Sequence, residues 1–375
     1  MQKRYIANYV VIAAFLAGIC FPLAWTSRRG VSQVEKRQLA PFPGIPLTLS
    51  AVFEFPGGFE AFYNDHFGFR ERLVYLYNVL NVRLGVSPTE KVLVGKDGWF
   101  FYASREDGNV IQDYRNNDPL TASELAMWQA DLEQKQRWLQ AQGIAYLFVI
   151  APNKHTIYAE YMPNTITKVG EKSRADQLIE HLAAHTTAPV LDLRPVMLAA
   201  KGSGPPLYDR TSTHWNAWGA NLAQDAIATT LAAQLPAIAP VRYAATDFRD
   251  QLGAGDEDLT GMMAVGDAFS QPSPVLTVAL PACEQQILED KSYRFRSQRP
   301  FQTTCPVAEG IDAMIFHDSF FIALQPTIST YFHRATYVWT QPDLATLQAY
   351  VEEMHPQVVI EERAERYLKE GLVLK

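Results

Sequence analysis

Several features that would point to common functions are scarce in this sequence. It contains only 3 cysteines. Its formal net charge of -7 gives no reason to expect nucleic-acid binding, but the total charge does not exclude a local basic patch that binds an anionic glycan. His66, His155, His181 and His185 lack nearby carboxylates or thiols at metal-ligand spacing, so we expect neither a metal nor a cofactor. No internal repeat or low-complexity tract is present. The composition is that of an ordinary globular protein, and the evidence for function lies in local motifs.

A long hydrophobic run, Tyr5 to Trp25, stands near the N-terminus with basic residues on both sides. It is long enough to span a bilayer as a helix. A cleaved signal peptide is the alternative, but the run is long for one and no clean small-x-small site follows it. We therefore predict an uncleaved membrane anchor over residues 1–29, followed by a proline-containing tether over residues 30–52.

The three cysteines fall in two different parts of the chain. Cys20 lies in the predicted anchor, whereas Cys283 and Cys305 flank a strand-rich stretch near the end of an irregular insertion at about 244–306. In a chain that is predicted to be exported, two such cysteines favour one disulfide. Two unrelated buried thiols are the alternative.

From Thr121 onward, helical and strand-like patterns alternate along the chain. Residues 144–150 form a continuous apolar run, which is typical of a strand covered on both faces. Strand–helix units then recur, with further strands predicted at 190–193, 311–316, 336–340 and 358–361. Such units need right-handed crossovers and a mostly parallel sheet. The pattern predicts an α/β domain over residues 53–375.

Two short segments carry candidate chemistry. His214 directly precedes a predicted helix in which Trp215, Trp218 and Leu222 recur at helical spacing. Ser319 follows the strand at 311–316 and precedes an apolar helix candidate. A serine on a sharp strand-to-helix turn exposes its oxygen as a nucleophile, and a histidine on another loop can serve as its base. His214 and Ser319 are therefore the candidate catalytic pair.

Seven motifs, in order and at matching spacing, give the soluble part of the chain a resemblance to a known family. They lie at residues 35–40, 64–70, 96–101, 151–154, 213–220, 318–320 and 359–363. With these motifs the chain resembles the alginate O-acetyltransferases of the AlgJ/AlgX type, whose domain is similar to SGNH hydrolases.

The resemblance implies a fold, an activity and a location. The fold would be an SGNH-hydrolase-like (flavodoxin-like) three-layer sandwich with a mostly parallel sheet and circularly permuted motif order, since the histidine precedes the serine. The protein would transfer acetyl to hydroxyls of an exopolysaccharide, with a membrane-bound O-acyltransferase as its acetyl donor. It would sit at the bacterial inner membrane, with the catalytic domain in the periplasm.

The resemblance also implies roles for individual residues. Ser319 would be the nucleophile and His214 the base, whereas the family's acid, two residues before the histidine, is replaced by Ser212. An anionic partner orients the imidazole and stabilises the imidazolium, so its absence matters. Asp209 is the expected third member, with Ser212 or a backbone carbonyl as the alternative orienter. Asp318 is expected to shape the turn at Ser319.

Three further residues are candidates for substrate binding, and three functions compete. Asn153 and Lys154 follow a buried strand at the end where open α/β sheets bind ligands, and Trp215 adjoins the histidine. The same Ser–His pair would also serve a polysaccharide acetylesterase, in which water replaces the sugar hydroxyl. A non-catalytic, polysaccharide-binding scaffold subunit is the third possibility, and the substitution at Ser212 is its main support.

Overall fold

The computed structural model describes residues 8–18, 30–32, 37–288, 299–306 and 310–369. The chain divides into a smaller unit, Met1–Pro88 with Thr260–Phe269, and a larger unit, Thr89–Leu259 with Ser270–Lys375. All site residues predicted from the sequence belong to the larger unit.

The helices of the described residues are α1 (residues 8–18), α2 (Leu49–His66), α3 (Arg70–Arg83), α4 (Val110–Tyr114), α5 (Ala122–Ala141), α6 (Lys154–Ile157), α7 (Arg174–His185), α8 (Arg194–Ala200), α9 (Ala217–Ala232), α10 (Asp258–Met262), α11 (Gln325–Ile328) and α12 (Leu344–Met354). The strands are β1 (Val31–Ser32), β2 (Arg37–Gln38), β3 (Val92–Val94), β4 (Phe100–Tyr102), β5 (Ala145–Ala151), β6 (Val190–Asp192), β7 (Phe248–Leu252), β8 (Pro272–Leu276), β9 (Glu284–Ile287), β10 (Phe301–Thr304), β11 (Asp312–Phe316), β12 (Arg334–Val338) and β13 (Val358–Ala364).

A seven-stranded sheet forms the centre of the larger unit. Its strand order is β6-β5-β13-β11-β12-β10-β9. The first five strands in this order are mutually parallel, and β10 and β9 add an antiparallel edge. This is the mostly parallel α/β sheet predicted from the alternating pattern. The carboxyl ends of β5, β6, β11 and β13 consequently meet at one edge, where open sheets of this type bind ligands.

The two faces of the sheet are covered by different helices. Along β5, Leu147 and Val149 pack into one buried cluster with residues of α8 and α9. Tyr146, Phe148 and Ile150, which point the other way because successive strand residues alternate, pack into a second cluster with residues of α5, α7 and α12. The result is a three-layer arrangement with an apolar core on each side of the sheet.

The central strand β13 is more highly charged than a buried parallel strand usually is, and it runs three residues beyond its predicted end at Glu361. Glu361 is completely buried, and its carboxylate accepts a hydrogen bond of 2.9 Å from the Lys135 ammonium of α5. Glu362 and Arg363 are also buried. The strand was therefore predicted too short. Ion pairing in the tertiary structure allows a charged segment to lie inside the sheet.

In the smaller unit, one ion pair fastens the chain that precedes α2 to the end of that helix. The Arg37 guanidinium lies 2.5 Å from the Asp65 carboxylate, which also accepts the Ala40 N–H at 2.8 Å. The hydrogen bond from Arg37 is the main reason why the pKa of Asp65 lies well below its usual range.

The predicted membrane anchor is not supported. Among the residues that the structure describes, no helix is long and apolar enough to cross a membrane. Helix α1 is described over residues 8–18, and the rest of the predicted anchor lies outside the described residues. The prediction of a transmembrane helix is therefore contradicted, and with it the inner-membrane location.

The predicted disulfide is confirmed. Cys283 and Cys305 are joined by an S–S bond, at a sequence separation of 22. Cys283 directly precedes β9 and Cys305 directly follows β10, so the bond fastens the two antiparallel edge strands to each other. It lies near the start of the parallel strands, because Thr304 pairs with Arg334, the first residue of β12.

Removing this cross-link should cost stability without affecting catalysis. Replacing both cysteines with serine is expected to lower the free energy of unfolding by about 3 kcal/mol, because a cross-link across a loop of this length restricts the unfolded chain. Guanidinium denaturation followed by tryptophan fluorescence measures the change. Turnover at 25 °C should be retained, since Ser319 follows the opposite end of β11. An unchanged denaturation midpoint would contradict the assigned role.

Candidate active site

Ser319 stands on a fixed turn at the carboxyl edge of the sheet. Strand β11 ends at Phe316, and after two intervening residues a 3-10 helix, Ser319–Leu324, begins where the sequence predicted an apolar helix. The Asp318 carboxylate accepts the Phe320 N–H at 2.9 Å and, from the end of β13, the Ala364 N–H at 2.7 Å. Asp318 thus joins this turn to the neighbouring strand, and its predicted role in shaping the turn stays a prediction.

A buried acid lies behind this turn. The Glu362 carboxyl accepts the Asp318 N–H at 3.1 Å, and its other oxygen is buried without a hydrogen-bond partner in the described structure. Burial raises the pKa of Glu362 well above its usual value, and the nearby Asp318 charge raises it further. A neutral acid at this position avoids placing two buried negative charges side by side.

His214 is presented by a closed loop that leads into α9. The Asn216 N–H donates to the Leu207 carbonyl at 3.0 Å, which closes the loop, and the Asn216 side chain caps α9. Inside the loop, the Ser212 hydroxyl accepts the His214 N–H at 3.0 Å. Ser212 therefore acts on the backbone of the histidine rather than on its ring.

The structure brings His214 and Ser319 together. The Ser319 Oγ lies 2.9 Å from His214 Nε2, and His214 Nδ1 lies 3.0 Å from the carboxylate of Asp256. A carboxylate only accepts, so Nδ1 carries the proton and Nε2 is left to accept the serine hydroxyl proton. The His214 side chain is 20% exposed and that of Asp256 is 57% exposed. This is the geometry of a nucleophile, a base and an orienting acid.

Asp209, the acid predicted from the sequence, does not orient the imidazole. Its two carboxylate oxygens accept hydrogen bonds from the Asn216 amide at 3.0 Å and the Ser273 hydroxyl at 2.6 Å, and burial raises its pKa. A Cβ at Gly255 would lie 2.6 Å from an Asp209 oxygen, so this carboxylate packs closely against the backbone directly before Asp256.

A second carboxylate lies beside the histidine. Asp258 accepts the Thr213 N–H at 2.8 Å, and burial raises its pKa. Ligand atoms of His214, Asp256 and Asp258 lie within 4.8 Å of one another, a combination that can hold a metal ion. The expectation of no metal therefore stays a prediction, and the hydrogen bonds to Nδ1 and Thr213 give both carboxylates a role without one.

The three predicted substrate-binding residues are occupied by contacts within the protein. The Asn153 amide donates to Asp113 at 3.3 Å. The buried Lys154 ammonium donates to four backbone carbonyls, and burial lowers the pKa of Lys154 to about 7. The Trp215 indole N–H donates to the Phe320 carbonyl at 2.9 Å, which joins the histidine loop to the serine turn. Their contacts support positioning roles instead of substrate binding.

Sequence reasoning missed Asp256, Asp258 and Glu362. One signal was available for the first two, because residues 256–258 form an acidic run directly after Gly255 inside the irregular insertion. Its distance from the histidine, 42 positions for Asp256, hid the contact. Glu362 lies in the motif at residues 359–363, but nothing in the sequence indicated that it lies behind the serine turn.

Comparison with known proteins decides the family. The family described as "SGNH hydrolase-like domain, acetyltransferase AlgX" matches residues 92–294, just over half of the 375-residue chain. The protein belongs to this AlgX-type family. The resemblance to AlgJ/AlgX-type proteins seen in the motifs is thereby confirmed.

Individual relatives share only part of their length with this chain. The chain is 27% identical to "Probable alginate O-acetylase AlgJ" of Pseudomonas fluorescens over 47% of its own length and 42% of that protein. For the Pseudomonas aeruginosa protein of the same name, identity is 25% over 74% of this chain and 64% of that one. The Bacillus cereus PatB1 structure with a sulfonyl adduct, at 14% identity and a TM-score of 0.51, covers 75% of this chain and 98% of that one. This last similarity supports the SGNH-like fold alone.

Proposed function

We propose that this protein is an O-acetyltransferase that moves acetyl from an activated donor to a polysaccharide hydroxyl through an acetyl-serine intermediate. The observation that carries the proposal is the hydrogen-bonded series Ser319 Oγ, His214 Nε2, His214 Nδ1 and Asp256. Family membership and the alginate O-acetylase names of the relatives support polysaccharide as the acceptor.

The first half of the proposed reaction forms the acetyl-enzyme. Ser319 Oγ attacks the carbonyl carbon of the donor, and its proton passes to His214 Nε2. Asp256 stabilises the imidazolium that results. The tetrahedral intermediate then collapses, the donor's leaving group takes the proton from the imidazolium, and an ester between acetyl and Ser319 remains.

The second half reverses these roles with a new nucleophile. A sugar hydroxyl gives its proton to His214 Nε2 and attacks the acetyl carbonyl carbon. Collapse of this intermediate leaves the acetylated sugar and returns the proton to Ser319. The Ser319 N–H is the first of its 3-10 helix and has no acceptor within that helix, so it is the proposed donor to the developing oxyanion. The resemblance further implies a membrane-bound O-acyltransferase as the acetyl supplier.

One observation favours hydrolysis as a second activity of the same site. The Asp256 side chain is 57% exposed and that of His214 is 20% exposed, so water can reach the base that would activate it. A polysaccharide acetylesterase would use the same residues. The non-catalytic alternative loses its main support, because Asp256 supplies the acid that Ser212 does not.

The intermediate is open to a direct test. After incubation of the full chain with 4-nitrophenyl acetate, the intact mass is expected to rise by one acetyl group, located on the peptide that contains Ser319. Adding a polysaccharide should speed loss of the label and yield acetylated polymer. Release of acetate alone would favour the esterase, and absence of acetyl from the Ser319 peptide would contradict both activities.

A further inference from the structure

Lys154 is a completely enclosed cation beside the loop that carries His214. It begins α6, directly after the carboxyl end of β5, and is 2% exposed. Its Nζ lies 2.8 Å from the Asp209 carbonyl, 2.9 Å from that of Arg210 and 2.8 Å from that of Ser212. A fourth carbonyl, at 2.7 Å, belongs to Phe100 of β4.

Three of these four carbonyls belong to the segment that ends two residues before His214. A buried carbonyl without a donor is unfavourable, so the loop has its lowest energy when all three point at the same nitrogen. An ammonium group supplies three N–H donors that can be shared among these acceptors. The conformation of residues 209–212 is therefore set by one side chain from a different strand–helix unit.

The surroundings of the ammonium prevent solvent from replacing it. The rings of Trp99 and Phe101 lie 5.1 and 5.3 Å from Nζ, a cation–π distance, and both rings are buried. The Phe100 N–H also donates to the Arg210 carbonyl at 2.9 Å, which fixes β4 against the same loop. Burial lowers the pKa of Lys154 to about 7, and the charges of Asp258 and Asp209 oppose this shift.

We infer that Lys154 is a positioning residue for catalysis, which holds residues 209–212 so that His214 Nε2 stays in hydrogen-bonding distance of Ser319. It does not touch the substrate. The inference rests on the proposed function in so far as it assigns the base role to His214. This positioning role replaces the substrate-binding role that was predicted for Lys154 from the sequence.

The test compares two buried lysines. Lys154→Met keeps the length of the side chain but removes the charge and the donors, and kcat for an activated acetyl ester is expected to fall about 100-fold, because ångström-scale misplacement costs about that much. KM should change little, since no substrate contact is lost. Lys135→Met is the matched control, because Lys135 is also fully buried but pairs with Glu361 on the other face of the sheet. Its folded fraction should keep the wild-type kcat.

A spectroscopic readout separates positioning from general stability. The proton on His214 Nδ1 that faces Asp256 should give a low-field proton resonance, which is identified by its loss in His214→Ala. Lys154→Met is expected to shift or remove this resonance, whereas Lys135→Met should leave it in place. Wild-type kcat together with an unshifted resonance in Lys154→Met would overturn the inference.

A second variant covers the case in which Lys154→Met does not fold. Lys154→Ala leaves a space that matches propylammonium, and adding this amine should restore activity to Lys154→Ala but not to Lys135→Ala. No restoration in folded Lys154→Ala would count against the inference. Should the wild type lack esterase and transferase activity, the proposed function fails, but the resonance and the rate of Ser319 sulfonylation by phenylmethanesulfonyl fluoride still test Lys154. Equal sulfonylation rates in Lys154→Met and wild type would then reject it.

Discussion

Ser319→Ala is expected to lower turnover of an activated acetyl ester by about 10⁴-fold or more, because the variant has no oxygen to form the acetyl-enzyme. His214→Ala should cause a similar loss, and the double variant should be no worse than either single one. Residues that act as one unit give losses that do not add. Steady-state kinetics with 4-nitrophenyl acetate measures all three.

Ser329→Ala provides the matched control for this result. Ser329 follows β11 as well, but its hydroxyl lies 2.7 Å from the Tyr337 hydroxyl and 3.1 Å from that of Thr303, and all three residues are buried. Its replacement should lower stability and leave kcat within about threefold of the wild type. Turnover that persists in Ser319→Ala would remove this serine from the mechanism and leave the family membership unaffected.

Asp256→Asn is expected to lower kcat about 100-fold while the fold is retained. An amide can donate to Nδ1, which favours the wrong imidazole tautomer, and it no longer stabilises the imidazolium. The loss of a buried acid in a comparable triad costs about 10⁴-fold, but Asp256 is 57% exposed, so we expect a smaller effect. Single-turnover acetylation of the enzyme measures the step that should slow.

Two other aspartates test whether the effect belongs to Asp256. Asp250→Asn removes an exposed charge from β7 in the same insertion and should leave kcat unchanged. Asp209→Asn should lower the melting temperature and have little effect on kcat, because the Asp209 carboxylate holds Asn216 and Ser273 inside the protein. If Asp209→Asn instead lost more activity than Asp256→Asn at equal folded fraction, the assignment of the orienting acid would be reversed.

Local patterns were sufficient to predict much of the fold and half of the candidate site. The apolar run at 144–150 reads as a buried parallel strand because both of its faces are covered, and β5 is such a strand. The sequence likewise places Ser319 after a strand and His214 before a helix, and short segments of this kind specify their own turns. The two cysteines could be paired because they flank a strand-rich stretch of a chain that is predicted to be exported, and the disulfide is present.

Other features depend on contacts between distant parts of the chain. The strand predicted at 358–361 ends three residues before β13 does, and in β13 the buried Glu361 pairs with Lys135, which approaches from α5. Polarity in sequence does not say which opposite charge will be adjacent in space.

Within the site, Asp256 and Lys154 show the same difference between what neighbouring residues predict and what contacts between distant residues decide. The sequence predicted a serine nucleophile, a histidine base and the parallel sheet that presents the serine, because each prediction follows from residues that are close in sequence. Only the tertiary structure decided that Asp256, 42 positions from His214, completes the series, and that Lys154 faces four carbonyls instead of a substrate. The physical reason is that an orienting carboxylate or a buried ammonium acts over about 3 Å of space, and the distance along the chain places no limit on which residue supplies it.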